Sequence, residues 1–264
     1  MARLTETGGW RPVVWTVSLA LAALVPLVAF LMPERPQDVR LGRYGEPSDA
    51  PPPPPPHANR TLLAFEVLGR VSKAPTFWLL FAAFFICGLT TNGLVGVHLI
   101  AFCGDHGIQP VHAAGLLSLM GLFDLVGTTA SGWLTDRFDA RRLLFVYYGL
   151  RGLSLIALPF LDFGALSLTA FAVFYGLDWI ATVPPTVRLA NERFGEADGP
   201  IVYGWIFTGH QAGAAAAAIG AGLIRQATGQ YNPAFILAGV SGVAIALVLL
   251  AWPRGPRLAP ALAE

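Results

Sequence analysis

The sequence predicts an all-α polytopic membrane bundle, and three observations carry that reading. Of its 264 residues 55% are hydrophobic and only 12% are charged, against roughly 25% charged in an ordinary soluble domain. Seven apolar segments, near 12–32, 76–101, 110–133, 143–161, 163–185, 200–224 and 231–252, each approach the roughly 20 residues that a helix needs to cross a hydrocarbon core. A barrel strand needs only about 9–11. Between the third and fourth segments, residues 132–142 crowd five charges (Asp136, Arg137, Asp139, Arg141 and Arg142) into a short polar hinge. A hinge of this kind, set between two apolar runs, marks a membrane face.

Taken in order, the first segment is longer than a signal-peptide core and lacks a small-residue cleavage site, so it is expected to be retained as a span over 1–32. A polar stretch, 33–75, follows and contains six consecutive prolines at 51–56. Prolines cannot continue a helix and favour polyproline II, so this run is a semi-rigid spacer of roughly 19 Å at about 3.1 Å per residue. At its end, residues 61–73 read as a short amphipathic helix along the membrane surface, with Leu62, Leu63, Phe65, Leu68 and Val71 apolar and Arg70 and Lys73 charged; a disordered linker is the other reading. Six further spans occupy 76–252, and 253–264 is a tail. Small residues recur inside the spans: Gly115, Gly121, Gly127 and Gly132 in the third, Gly209 and Gly213 with Ala214 to Ala218 in the sixth. They let helices approach closely, and tight packing within the bundle explains them better than a dedicated dimerisation motif.

Charge fixes the expected orientation. Counted on alternate sides, thirteen basic residues share a face with the hinge: Arg35, Arg40, Arg43, Arg60, Arg70, Lys73, Arg137, Arg141, Arg142, Arg188, Arg193, Arg254 and Arg257. Only Arg3, Arg11 and Arg225 lie on the other, and Arg151 falls within a span. Basic loops stay in the cytoplasm, which puts the N-terminus outside and the C-terminus inside. The Asn59-Arg60-Thr61 sequon then faces the cytoplasm and is discounted. Sixteen arginines against one lysine suit a GC-rich bacterial genome and hence a bacterial plasma membrane. A formal net charge of +1, spread over several loops, argues against nucleic acid as a partner.

Ionisable groups inside a bilayer are costly, about 2.5–3.5 kcal/mol on the insertion scale, so each is a functional candidate. Asp124 lies nine residues before Trp133 and Arg151 nine residues after Arg142, at one depth about 14 Å from the hinge face at 1.5 Å per residue. Gly121, Gly127, Thr128 and Ser131 share the face of Asp124, and Tyr147, Tyr148 and Ser154 lie beside Arg151. An ion pair between the two is expected, as a structural or gating device or as a substrate-anion site. Asp178, with Tyr175 and Thr182 on its face, and His210-Gln211, midway along the sixth span, suit proton coupling or hydrogen-bonded packing. Asn92 offers an amide to a solute. Cys87 and Cys103 read as packing residues. His98, His106 and His112 with Asp105 have no recognised metal-ligand spacing, and no motif calls for a cofactor.

The hinge resembles the loop signature of the major facilitator superfamily, through Gly132, Leu134, Thr135, Asp136, Arg137 and Arg141. It departs at Asp139, where a glycine is expected, and at Ala140, where a basic residue is expected. The first span, from Gly9-Trp10-Arg11 to Pro33-Glu34-Arg35-Pro36, is similar to the family's sixth helix, and the linker to its central loop. Phe77-Trp78-Leu79-Leu80, Val183-Pro184-Pro185 and Phe194-Gly195 are similar to the monocarboxylate and oxalate-formate type branch. The resemblance implies that the spans are helices six to twelve, the last six forming two inverted three-helix repeats. It implies a secondary transporter moving a small solute such as an organic anion, by symport or antiport with a proton. Asp178, His210 and Asn92 would then be near the central cavity and Arg151 on a peripheral helix. The missing amino-terminal half, or a second copy of this chain, would complete the cavity.

Other classes fit less well. A retinal receptor needs a lysine inside the bundle, and the sole lysine, Lys73, lies in the linker. A membrane enzyme would need a nucleophile, metal or phosphate-loop motif. A non-transporting remnant or accessory subunit stays open.

Overall fold

The computed structural model describes Thr5 and residues 8–33, 36–39 and 59–253. The proline run, most of the linker and the tail beyond Pro253 lie outside the described residues. The chain divides into two compact units, Met1–Arg60 and Thr61–Glu264. In the first, α1 (Trp10–Leu31) is an apolar helix of 22 residues with none buried, long enough to span a bilayer.

The second unit is all-helical among the described residues. It begins with α2 (Arg60–Val71). The first span is α3 (Pro75–Gly88), a π-helical segment Leu89–Val95, and α4 (Gly96–Asp105). Then come α5 (Pro110–Arg137), α6 (Ala140–Ala157) with a 3₁₀ turn Leu158–Phe160, α7 (Ala165–Asp178), α8 (Val183–Phe194), α9 (Gly199–Thr228) and α10 (Asn232–Ala251). Among the described residues six helices combine the length and apolarity to cross a membrane. The remaining long helix, α9, has 30 residues, but His210, Gln211 and its many glycines lower its hydropathy.

The strongest helix pairings are α6 with α10, α3 and its π segment with α9, and α5 with α7. Number the spans of each three-helix repeat one to three. The first span of one repeat then packs on the second span of the other, in both directions, and third packs on third. Exchange of two equivalent repeats produces this pattern.

Small residues set the closest approaches, as the spacing of Gly209 and Gly213 suggests. A Cβ on Gly213 would lie 1.9 Å from the Phe85 carbonyl oxygen, and one on Gly88 1.8 Å from that of His210. Only hydrogen fits there, so the motif serves α3–α9 packing within one chain.

Three expectations need correction. The hinge is mostly helical: α5 runs through Arg137, and only Phe138 and Asp139 separate it from α6. The fifth span does not end near 185, because α8 continues it to Phe194 and carries Arg188 and Arg193 on a helix. Finally, α2 turns Val67 and Val71 into protein against Phe77, Ala190, Val202 and Ile206. Trp205 donates to the Ala64 carbonyl at 2.9 Å and Arg70 pairs with Asp198 at 2.8 Å. Leu62 and Phe65 stay exposed, so only part of the apolar face is left for lipid.

At the opposite end, Arg225 pairs with Asp105. His98 bonds Tyr231 Oη and the Ala218 carbonyl, and His106 stacks on Phe163 at 3.7 Å. In the loop before α7, hydrogen bonds from the Ser167 hydroxyl and the Gly164 amide hold the Asp162 carboxyl below the usual carboxylate range.

Candidate functional site: a polar cluster between two interrupted helices

Each repeat opens with 14 α-helical residues and then leaves α geometry: α3 passes into the π segment after Gly88 and α7 into a turn after Asp178. The second break follows from Pro184 and Pro185. Neither has an N–H to donate to the carbonyl four residues back, so the helix stops and restarts with proline in the first turn of α8. Backbone groups freed at such depth must find partners within the protein, and polar side chains from several helices supply them. The Ser131 hydroxyl donates to the Ala181 carbonyl at 2.5 Å, the Ile180 amide donates to Asp124 Oδ1 at 3.0 Å, and Arg151 donates to the Asp178 and Trp179 carbonyls. At the first break Thr90 and Thr91 donate to the Ile86 and Cys87 carbonyls, and Tyr175 of the other repeat donates to the Thr90 carbonyl at 2.8 Å.

The buried ion pair at this site is not the expected one. Arg151, 0% exposed, sends Nε to Asp178 Oδ2 at 2.5 Å and Nη1 to Cys87 Sγ at 3.1 Å, with the Tyr148 ring 5.7 Å from its guanidinium carbon. Asp124 is instead half-buried and accepts from Thr128 and the Ile180 amide. Equal depth placed Asp124 and Arg151 together on paper, but α6 packs chiefly on α10 and scarcely on α5, so the arginine reaches the α7 break instead. Cys87 and Thr182, whose Sγ and Oγ1 lie 3.4 Å apart, belong to the cluster. In the sequence Cys87 reads as a packing residue, yet it shares a helical face with Thr90 and Thr91, a pattern the sequence displays.

Asp124→Ala should leave the Ile180 amide unpaired and destabilise the bundle by about 1–3 kcal/mol. Asp124→Asn keeps the Oδ1 acceptor and should cost much less. Thermal unfolding of the purified variants in detergent tests this, and equal losses would contradict the amide-anchoring role.

His210 is buried at the α3–α9 crossing, its ring stacked on Phe207 at 5.2 Å and tilted against Phe84 at 6.0 Å. Asn92 and Gln211 are exposed, and so stand apart from the buried cluster. Among the described residues Asp178 Oδ1, Tyr148 Oη and His210 Nδ1 are buried without a hydrogen-bond partner. The cluster therefore holds a carboxylate with one oxygen fixed by an arginine and the other able to take a proton.

The loop motif is also resolved into parts. Gly132, Leu134, Asp136 and Arg137 lie on the last turns of α5, where Arg137 bonds the Trp133 carbonyl and sits 4.1 Å over its ring. Arg141 opens α6 and donates to the Leu249, Leu250 and Trp252 carbonyls at the end of α10. Asp139 has φ −63°, which any residue adopts, and its carboxylate accepts from the Arg141 and Arg142 amides as the N-cap of α6. A cap that supplies an acceptor replaces the expected glycine at no conformational cost.

The family model of the Major Facilitator Superfamily matches residues 1–217. Monocarboxylate transporter 13 of Rattus norvegicus is 34% identical over 160 residues, 60% of this chain and 37% of the relative. Monocarboxylate transporter 12 of Homo sapiens is 30% identical over 162 residues, 60% of this chain and 31% of the relative. The uncharacterized MFS-type transporter YcxA of Bacillus subtilis is 28% identical over 158 residues, 58% of this chain and 38% of the relative. The matched stretch thus spans less than two fifths of the length of these curated relatives. The inverted helix pairing and the hinge motif agree with the match, and the chain belongs to the Major Facilitator Superfamily.

Proposed function

We propose that the six-span unit is the carboxy-terminal half of a secondary transporter that moves a small organic anion of the monocarboxylate class, coupled to a proton, by alternating access. The observation that carries this reading is the pair of breaks at the same step of both repeats, beside Asp178, Arg151 and His210. Interrupted apolar segments in corresponding positions are where such transporters hold substrate and coupling ion. The names of the relatives support a carboxylate. Protonation at Asp178 would remove the charge that holds Arg151 Nε while leaving the two carbonyl acceptors in place, so the pair is a two-state element. All three Arg151 nitrogens are engaged, which leaves the solute to exposed groups such as Asn92 and Gln211, on the face where a second half would dock. The basic asymmetry supports an N-terminus outside and a C-terminus in the cytoplasm, and the arginine-rich composition supports a bacterial plasma membrane.

Uptake of small carboxylates into vesicles tests this. The purified chain alone should give none, and saturable uptake should follow when a separately expressed amino-terminal half is supplied. Asp178→Asn or His210→Ala should abolish it. Saturable uptake by the chain alone would overturn the need for another half and point to a homodimer, and undiminished uptake by Asp178→Asn would refute the coupling role. For orientation, Gly45→Cys or Leu258→Cys labelled by an impermeant thiol reagent in intact cells would reverse the assignment.

A further inference from the structure

At the end of the bundle that carries the hinge, the ends of α3, α6, α8 and α10 enclose a cavity of about 280 Å³. A single buried water needs only about 10–15 Å³. Its charged lining is three arginines, Arg141, Arg188 and Arg193, and two acids, Asp139 and Glu192. Most of these charges have work already. Asp139 caps α6, Glu192 pairs with Arg188 at 2.7 Å, Arg188 also donates to the Thr135 carbonyl, and Arg141 holds the end of α10. Arg193 does not: its buried Nε and Nη1 have no acceptor among the described residues. An adjoining cavity of about 320 Å³ shares Asp139, Arg141 and Trp252 and adds Arg142, so positive charge is in excess across the pair. The remaining wall is apolar, with Leu79, Leu80, Leu189, Leu249 and Trp252.

Two desolvated guanidinium nitrogens without an acceptor are costly, and an anion with several acceptor oxygens would satisfy them and their neighbours together. We propose that this cavity binds a phosphate-class anion, held by Arg193 with Arg188 and Arg141 in the same lining. Phosphate presents acceptor oxygens in several directions, which suits arginines that approach from two helices, and the apolar wall can take the first methylenes of a phospholipid's acyl chains.

The test is native mass spectrometry of the purified chain in detergent, with dioleoyl phosphatidylglycerol, dioleoyl phosphatidylcholine or inorganic phosphate added at matched ionic strength. A single retained phosphatidylglycerol, or a single retained phosphate, is expected on the wild type and on Arg60→Gln, whose position lies outside the cavity. Retention should fall on the order of tenfold in Arg193→Gln and partly return in Arg193→Lys. Retention of phosphatidylglycerol alone identifies a lipid headgroup as the source, and retention of phosphate alone a soluble anion. Equal retention of phosphatidylcholine, undiminished retention by Arg193→Gln, or no retained anion on the wild type would each overturn the proposal. Should Arg193→Gln fail to fold, the wild-type contrast between the two lipids and the Arg193→Lys result still decide it.

Discussion

Removing the guanidinium of Arg151 alone is expected to cost the bundle about 3–5 kcal/mol, more than removing Arg151 and Asp178 together. In Arg151→Met the Asp178 carboxylate, 7% exposed, loses its only charged partner among the described residues. The Asp178 and Trp179 carbonyls lose a donor as well. The double variant Arg151→Met/Asp178→Leu removes the stranded charge but not the stranded carbonyls, so its recovery should be partial. The yield of monodisperse protein after graded heating in detergent measures this directly. Losses in the single variants that simply add up in the double would show that the two side chains do not act as a pair.

Two glycines of one helix should respond with opposite signs to the same substitution. A methyl on Gly213 would meet the Phe85 carbonyl at 1.9 Å and the Leu89 amide nitrogen at 3.1 Å, both backbone atoms that cannot rotate away. Gly213→Ala should therefore push α9 off α3 and lower stability by at least the roughly 1–3 kcal/mol typical of overpacking. Gly220, seven residues later on α9, has open space where its Cβ would be. There alanine adds helix propensity of up to about 1 kcal/mol. Thermal midpoints that move in the same direction for both would show that the α3–α9 contact is not set by these backbones.

How much of this was legible in the sequence depended on the kind of signal. Apolar length located the spans, because the hydrocarbon thickness fixes it independently of neighbours, although the fifth runs on to Phe194. The hinge and its arginines were visible for the same reason. Helix rise put Asp124 and Arg151 at one level, and both reach the α7–α8 break, at the Ile180 amide and at Asp178, but level is one coordinate of three. Which helix faces Arg151 depends on Gly152 meeting Gly239 across α6 and α10, where a Cβ would lie 2.5 Å from a carbonyl oxygen, and such a match between distant residues has no local trace. The break after Asp178 was half legible. Pro184 and Pro185 marked a helix start, yet they read equally well as the end of a span. The π segment was not legible, since Leu89–Val95 has the composition of any apolar helix, and its wide turn is fixed by packing.

That π segment makes the first span a helix with an adjustable phase. The Gly96 amide bonds to the Thr91 carbonyl, five residues back instead of four. Converting one such turn to α geometry would rotate everything beyond it by about 100°, one residue's step of a helix with 3.6 residues per turn. The half below, α3, would keep its seat on α9, while α4 would turn about its own axis. The present phase is held by Leu99, Phe102 and Cys103, buried in the core, and by His98, clamped between the Tyr231 hydroxyl at 3.2 Å and the Ala218 carbonyl at 3.0 Å. One face of α4 thus works as the detent of a rotary joint, and the two ends of this span need not move as one rigid rod.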